Sequence, residues 1–321
     1  MIVCLCILLM LSILSQGGMS LFTKDRTQLL KAVLPWAVIL HHLSLRTNMI
    51  ADFNEVGVYA VGLFFFISGF GLEKKKERIS VDITQLPNRL TKLLLPLVVP
   101  IIFYFALIFL GGSNVTRAIS NSLRDWCIIL PYTCYVLNLL IFYIIYYILS
   151  WLIKDTKGFI ISIAIAIFVI SILLMLFDST SAHYSSNFAF IAGIIYCHIE
   201  GNVIKHFSSK KSIWVLMLIV IIATYLSKHP FRLSSAWNVP LYSMAVIALI
   251  SRIPFQNRCI DFVAKYSYEL YICQSIAFVI LNKLSVSDNF IYILLALPLC
   301  LIIAIICHHV TLQLQQLLTK K

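Results

Sequence analysis

The sequence predicts an all-α protein, a polytopic transmembrane bundle of about ten spanning helices. Two observations predict it. Of 321 residues, 61% are hydrophobic and only 12% charged, too few charges for the polar shell of a soluble domain this long. Leu, Ile, Val and Phe also recur in runs of about 17–25 residues, the length that crosses a hydrocarbon core. The polar stretches between runs are short and leave no room for a large soluble domain.

The first span, 28–48, contains Pro35 and the pair His41-His42. The second, 55–72, is rich in Phe and Gly, and the third, 93–110, follows the basic pair Arg89 and Lys92. Spans four to six are expected at 130–152, 158–177 and 187–200, and spans seven and eight at 212–227 and 238–251. The spans at 187–200 and 238–251 are short and contain polar residues, which burial among other helices tolerates. The ninth, 266–283, opens near Glu269, and the tenth covers 290–316.

Charge tests this assignment. With Glu73–Lys92 inside, 19 of the 25 Lys and Arg residues fall on the cytoplasmic side, together with both ends of the main domain. A missed or invented span would invert every later loop and destroy that asymmetry. The net charge of +12 is thus a topology signal, and no nucleic-acid partner is expected. Residues 1–22 form a separate apolar segment before the main domain, 23–321. They read either as an eleventh helix or as sequence upstream of a start at Met19, since no charged stretch opens them as in a signal peptide.

The sequence holds no zinc-type Cys/His spacing, P-loop or Rossmann fingerprint, so no metal is expected. The nine Cys are odd in number and mostly sit in apolar runs, which excludes a disulfide framework. Cys127 and Cys134 read as free thiols.

Polar groups inside spans cost free energy unless paired, which makes each a functional candidate. His41 and His42 point about 100° apart on a helix, so at most one faces the bundle centre fully. Arg46 lies one turn beyond His42 on the same face. A positive charge there disfavours imidazolium and leaves His42 able to accept a proton. The competing reading is a histidine that hydrogen-bonds between helices or sits at the outer interface. In Gly62-Leu-Phe-Phe-Phe-Ile-Ser-Gly-Phe-Gly71, small residues allow close helix approach, and Ser68 alone has chemistry to offer. Arg89 and Lys92 share a helix face and suit phosphates, or else anchor the span. Glu269 reads as a partner of Lys265, or of Arg89 or Lys92. Asn138, Tyr143 and Asn187 read as helix–helix hydrogen-bonding groups.

Taken together and in this order, the segments resemble the acyltransferase-3 family of membrane O-acyltransferases. The likeness runs over about residues 26–315. Its parts are Ala37-Val-Ile-Leu-His-His-Leu-Ser44, Val61-Gly-Leu-Phe-Phe-Phe-Ile-Ser-Gly-Phe70, and Arg89-Leu-Thr-Lys92 ahead of Leu95-Pro96. Cys134-Tyr-Val-Leu-Asn138, Ala189-Phe-Ile-Ala-Gly193 and Ser267-Tyr-Glu-Leu-Tyr271 follow. Lys92 stands where the family has a second Arg, Gln274 where many members have His, and Tyr135 where many have Trp.

The resemblance implies a ten-helix membrane acyltransferase. It would move an acetyl or longer acyl group from cytoplasmic acetyl-CoA or another acyl-CoA to a hydroxyl of a surface glycan or lipid-linked sugar. It implies His42, or its neighbour His41, as acid/base residue and Arg89 and Lys92 as the acyl-CoA phosphate site. Ser68, Glu269, Asn138 and Tyr271 are implied on the substrate side. It also implies a multi-pass protein of a bacterial inner membrane, among membrane lipids. A non-enzymatic transporter or flippase of a lipid-linked sugar or small solute would equally explain the spans, although no inverted repeat is visible. His42 lies 14 residues into its span, roughly 20 Å from the cytoplasmic end at a ~1.5 Å rise. An acyl group held at Arg89 would therefore have far to travel.

Overall fold

The computed structural model describes residues 22–79, 82–177, 183–226, 235–252 and 257–319. The expectation for residues 1–22 falls, except for Phe22, outside the described residues. These residues form 12 α-helices, with no strand among them. They are α1 (Lys24–Thr47), α2 (Val56–Lys76), α3 (Leu86–Leu110), α4 (Val115–Arg124), α5 (Cys134–Leu152), α6 (Thr156–Phe177), α7 (Phe188–Phe207), α8 (Ser212–Leu226), α9 (Ser235–Ile250), α10 (Arg258–Lys265), α11 (Ser267–Lys283) and α12 (Asn289–Thr319). Seven helical segments, corresponding to α1, α2, α3, α5, α6, α7 and α12, are long and apolar enough to cross a membrane. Helices α8 and α9 are apolar but shorter.

Each of the ten expected segments coincides with a helix. Two short helices, α4 and α10, were not expected. Both are opened by asparagine caps: Asn114 accepts from the Arg117 N–H and Asn257 from the Cys259 N–H. They are too short and too polar to register as apolar runs. The expected fourth span begins four residues late, at Cys134, because residues 125–133 form an irregular loop.

The closest helix crossing is that of α2 on α7, which run in the same direction. A Cβ on Gly69 would collide with the Phe190 carbonyl oxygen, and one on Gly193 with the Phe66 carbonyl oxygen. Each glycine therefore receives the backbone of the other helix, the arrangement by which small residues bring membrane helices together. Phe65 and Phe66 from the Phe run are buried in the resulting core. The same crossing brings charged groups together at one end of the bundle. The buried Glu73 carboxylate accepts from the Tyr146 hydroxyl at 2.7 Å and lies 3.2 Å from His198 Nε2 and 3.6 Å from Lys76 Nζ. Glu200, also buried, accepts from the Phe22 N–H at 2.6 Å and lies 3.4 Å from Lys74 Nζ. Lone buried carboxylates would be costly, and these partners offset that cost. This end also holds the starts of α1 and α3, and is termed the basic end below.

Gly69→Ala and Gly193→Ala are each expected to lower stability by about 1–3 kcal/mol through overpacking. Gly71→Ala meets nothing within 4 Å and should leave stability unchanged. Thermal unfolding of the detergent-solubilised protein checks all three.

Candidate functional site

A cavity of about 320 Å³ opens between α1, α2, α3, α5 and the α10–α11 junction. Lys31 and Lys265 lie on its wall near the basic end, and Ser68, Tyr135, Tyr143, Tyr268 and Tyr271 line it further in. Its position follows from helix periodicity. On α11 and its approach, Ala264, Ser267, Tyr268 and Tyr271 share one face. On α2, Phe64, Ile67 and Ser68 do the same.

Arg89 packs against a residue of this cavity's wall. Its guanidinium carbon lies 5.1 Å from the ring centroid of Tyr143, a lining residue. The Arg89 Nε is buried and has no hydrogen-bond partner among the described residues. Leu93, one turn on, lines the wall. Lys92 shares less of this face than its spacing suggested, and its side chain is exposed. Ser68 lines the cavity while its hydroxyl donates to the Phe64 carbonyl at 2.8 Å.

His42 lies outside the cavity, near the far end of α1 and eleven residues beyond Lys31, roughly 16 Å at a ~1.5 Å rise. Two contacts bridge the gap. The Tyr271 hydroxyl donates to the Tyr132 carbonyl at 2.6 Å. The Tyr132 ring stacks on His42 with centroids 4.2 Å apart. His42 is thus one residue removed from the cavity lining. His41 turns the other way, against Gly57, where a Cβ would lie 2.5 Å from the imidazole.

Tyr132 belongs to the 125–133 loop, which packs into the bundle with Cys127, Leu130 and Thr133 buried. Irregular backbone at such depth needs its polar groups satisfied by protein. The Thr133 hydroxyl does this, accepting from the Ile128 N–H at 3.0 Å and donating to the Leu130 carbonyl at 2.6 Å. Trp126, Ile129 and Tyr132 all adopt left-handed φ, at 53°, 64° and 69°, at a cost of about 1–3 kcal/mol each. Asn138 anchors the loop. It accepts from the Trp126 indole N–H at 2.8 Å and donates to the His183 carbonyl at 2.7 Å and the Asn187 Oδ1 at 3.1 Å. Burial lowers the His183 imidazole below its ordinary value, against the opposing pull of Asp125.

Among the eight residues expected at the site, Ser68 and Tyr271 line the cavity, Arg89 reaches its wall through Tyr143, and His42 is joined to Tyr271 only through Tyr132. Asn138 holds the loop instead of lining the cavity. Glu269 faces α12 and not the cavity, with its Oε1 2.8 Å from His308 Nδ1. Its expected partners Lys265, Arg89 and Lys92 are replaced by a histidine on α12, because residue 269 lies about 100° from the cavity-facing Tyr268. Gln274 is fully buried and donates to the Tyr271 carbonyl at 2.9 Å. Sequence reasoning missed Tyr132, Lys31 and the cavity-lining role of Lys265. Pro131 and Thr133 around Tyr132 were the turn signal that could have broken the fourth span.

The bundle thus holds a tyrosine-lined cavity with Lys31 and Lys265 on its wall, and a histidine joined to that wall through Tyr132 and Tyr271. The chain belongs to the acyltransferase-3 family, whose sequence model, described as an acyltransferase domain, matches residues 26–309. No curated protein and no solved structure matches the chain.

Replacing Asn138 with Leu strands the Trp126 indole, the His183 carbonyl and the Asn187 amide. A loss of about 1–3 kcal/mol is expected, read as a lower unfolding midpoint in detergent.

Proposed function

We propose that this family member transfers an acyl group from acyl-CoA at the basic end to a hydroxyl of a glycan or lipid-linked sugar at the far end. The basic end would face the cytoplasm of a bacterial cell, and the acyl group would be acetyl or longer. The observation that supports this reading is the cavity itself: Lys31 and Lys265 lie on its wall near the basic end, and its inner residue Tyr271 is joined to His42 by contacts through Tyr132.

The residues divide the chemistry between them. Arg89, with an unpaired buried Nε, offers donors to a CoA phosphate. Lys31 and Lys265 add positive potential near it, which offsets the exposure of Lys92. The cavity is at the low end of the ~300–1,000 Å³ usual for small-molecule sites. It suits the pantetheine arm and acyl group, with the nucleotide held outside. The length of that arm shortens the travel set by the helix geometry, because the thioester can rise through the cavity while the phosphates stay at Arg89; the Tyr132 and Tyr271 side chains must then part for it to reach His42. His42 then removes the proton from the acceptor hydroxyl as its oxygen attacks the thioester carbonyl. The carbon–sulfur bond breaks, and the departing thiolate takes up a proton from His42. Such acid/base assistance is worth about 10²–10⁴-fold.

His42→Ala is expected to cut transfer by about that factor while the protein remains in the membrane. Undiminished transfer, measured by mass spectrometry of acylated glycan, would remove His42 from the reaction. Arg89→Ala should raise the concentration of acyl-CoA needed for half-maximal rate. An unchanged requirement would return Arg89 to an anchoring role.

A further inference from the structure

Arg46 carries a charge that its surroundings do not match. It lies one turn beyond His42 on α1, near the far end of the bundle. Its guanidinium lies against residues of α11, α12 and the 125–133 loop, although the residue remains exposed at the rim. The guanidinium carbon lies 5.1 Å from the ring centroid of Phe278, a fully buried residue. Nη1 donates to the Asn282 Oδ1 at 3.2 Å and the Tyr292 hydroxyl at 3.5 Å, and Nη2 to the Tyr132 hydroxyl at 3.5 Å. Every one of these partners is neutral. None of the ion pairs among the described residues involves Arg46. A guanidinium held by neutral neighbours alone keeps its full positive charge available to an anion. Its planar fork matches carboxylate or phosphate oxygens. Arg46 and Asn282 are both exposed on this rim, so a ligand can reach them.

The location gives that demand a direction. His42 and Arg46 are four residues apart, with Cβ atoms about 5–6 Å apart on one helix face. Tyr132 joins them, stacking on the imidazole and accepting from the guanidinium. A sugar ring spans such a distance between its substituents.

We propose that Arg46 and Asn282, supported by the Tyr132 and Tyr292 hydroxyls, form an anion subsite for the acceptor. The acceptor sugar then carries a carboxylate or phosphate close to the hydroxyl presented to His42. This rests on the acyltransferase reading and narrows its acceptor to an anionic glycan or sugar phosphate.

Binding and catalysis test it separately. The full chain is reconstituted in phosphatidylcholine vesicles and treated with phenylglyoxal, and modification of Arg46 is followed by peptide mass spectrometry. Inorganic phosphate and glucuronate should each slow that modification, and glucose should not. No protection by either anion overturns the subsite. Protection conferred only by adding phosphatidylglycerol overturns the acceptor assignment, because the anion is then a lipid headgroup. This assay needs no turnover, so its outcome stands whether or not the acyltransferase reading does.

The second arm uses glycan extracted from the host envelope as acceptor. Arg46→Gln should raise the acceptor KM about 10- to 100-fold, the worth of a charge-assisted contact, with the KM for acyl-CoA unaffected. A fall in kcat at unchanged acceptor KM would place Arg46 on the reacting oxygen instead and overturn the subsite. Failure of wild type and His42→Ala to differ would sink the enzyme reading, while the protection assay still decides whether Arg46 holds an anion.

Discussion

The rest of the bundle depends on the contact of two backbones, α2 and α7, with no side chain between them. Gly69 and Gly193 each accept a carbonyl oxygen of the opposite helix where any Cβ would collide. In lipid the hydrophobic effect supplies little force between helices, so such close van der Waals packing has to. The crossing fixes the rotation of α2. Phe65 and Phe66 go to the core, while Phe64, Ile67 and Ser68 face the cavity. It also sets the depth at which Glu73 meets Tyr146 and His198, so the charged cluster at the basic end is a result of the same register.

Around that frame the candidate site is assembled from distant parts of the chain. Leu93 on α3, Tyr143 on α5 and Tyr271 on α11 bound one space, Arg89 packs against Tyr143, and Tyr132 ties Tyr271 to His42 on α1. A single irregular loop makes the connection. Its strain is held by hydrogen bonds to Thr133 and Asn138, and it places an aromatic ring where a regular helix would present only its own face.

The sequence was most legible where the bilayer constrains it most. The ten apolar runs each became a helix, and the Phe–Gly segment announced the tight crossing, because length and small-residue content are properties of a stretch of chain. His42, Ser68, Arg89 and Tyr271 could be singled out because polar groups stand out against apolar runs. What could not be read were relations between helices. Glu269 found His308 and not a basic loop residue, since its partner depends on how α11 is rotated against α12. Asn138 became the loop anchor for the same reason. Tyr132 was hidden because an apolar run that bends inward looks, residue by residue, like one that continues straight.

The 125–133 loop also bears on the order in which the protein is built. Tyr132 receives its hydrogen bond from Tyr271, a residue 139 positions further along the chain, and its anchor Asn138 depends on Asn187, 49 positions on. During synthesis the loop emerges long before either partner exists. Its bond from Tyr271, and its anchor's bond to Asn187, can form only after α11 and α7 have been inserted beside it. The helices can therefore take their places one by one as the ribosome delivers them. The chain of contacts between the cavity wall and His42 is completed last, in a step that waits for the C-terminal third of the polypeptide.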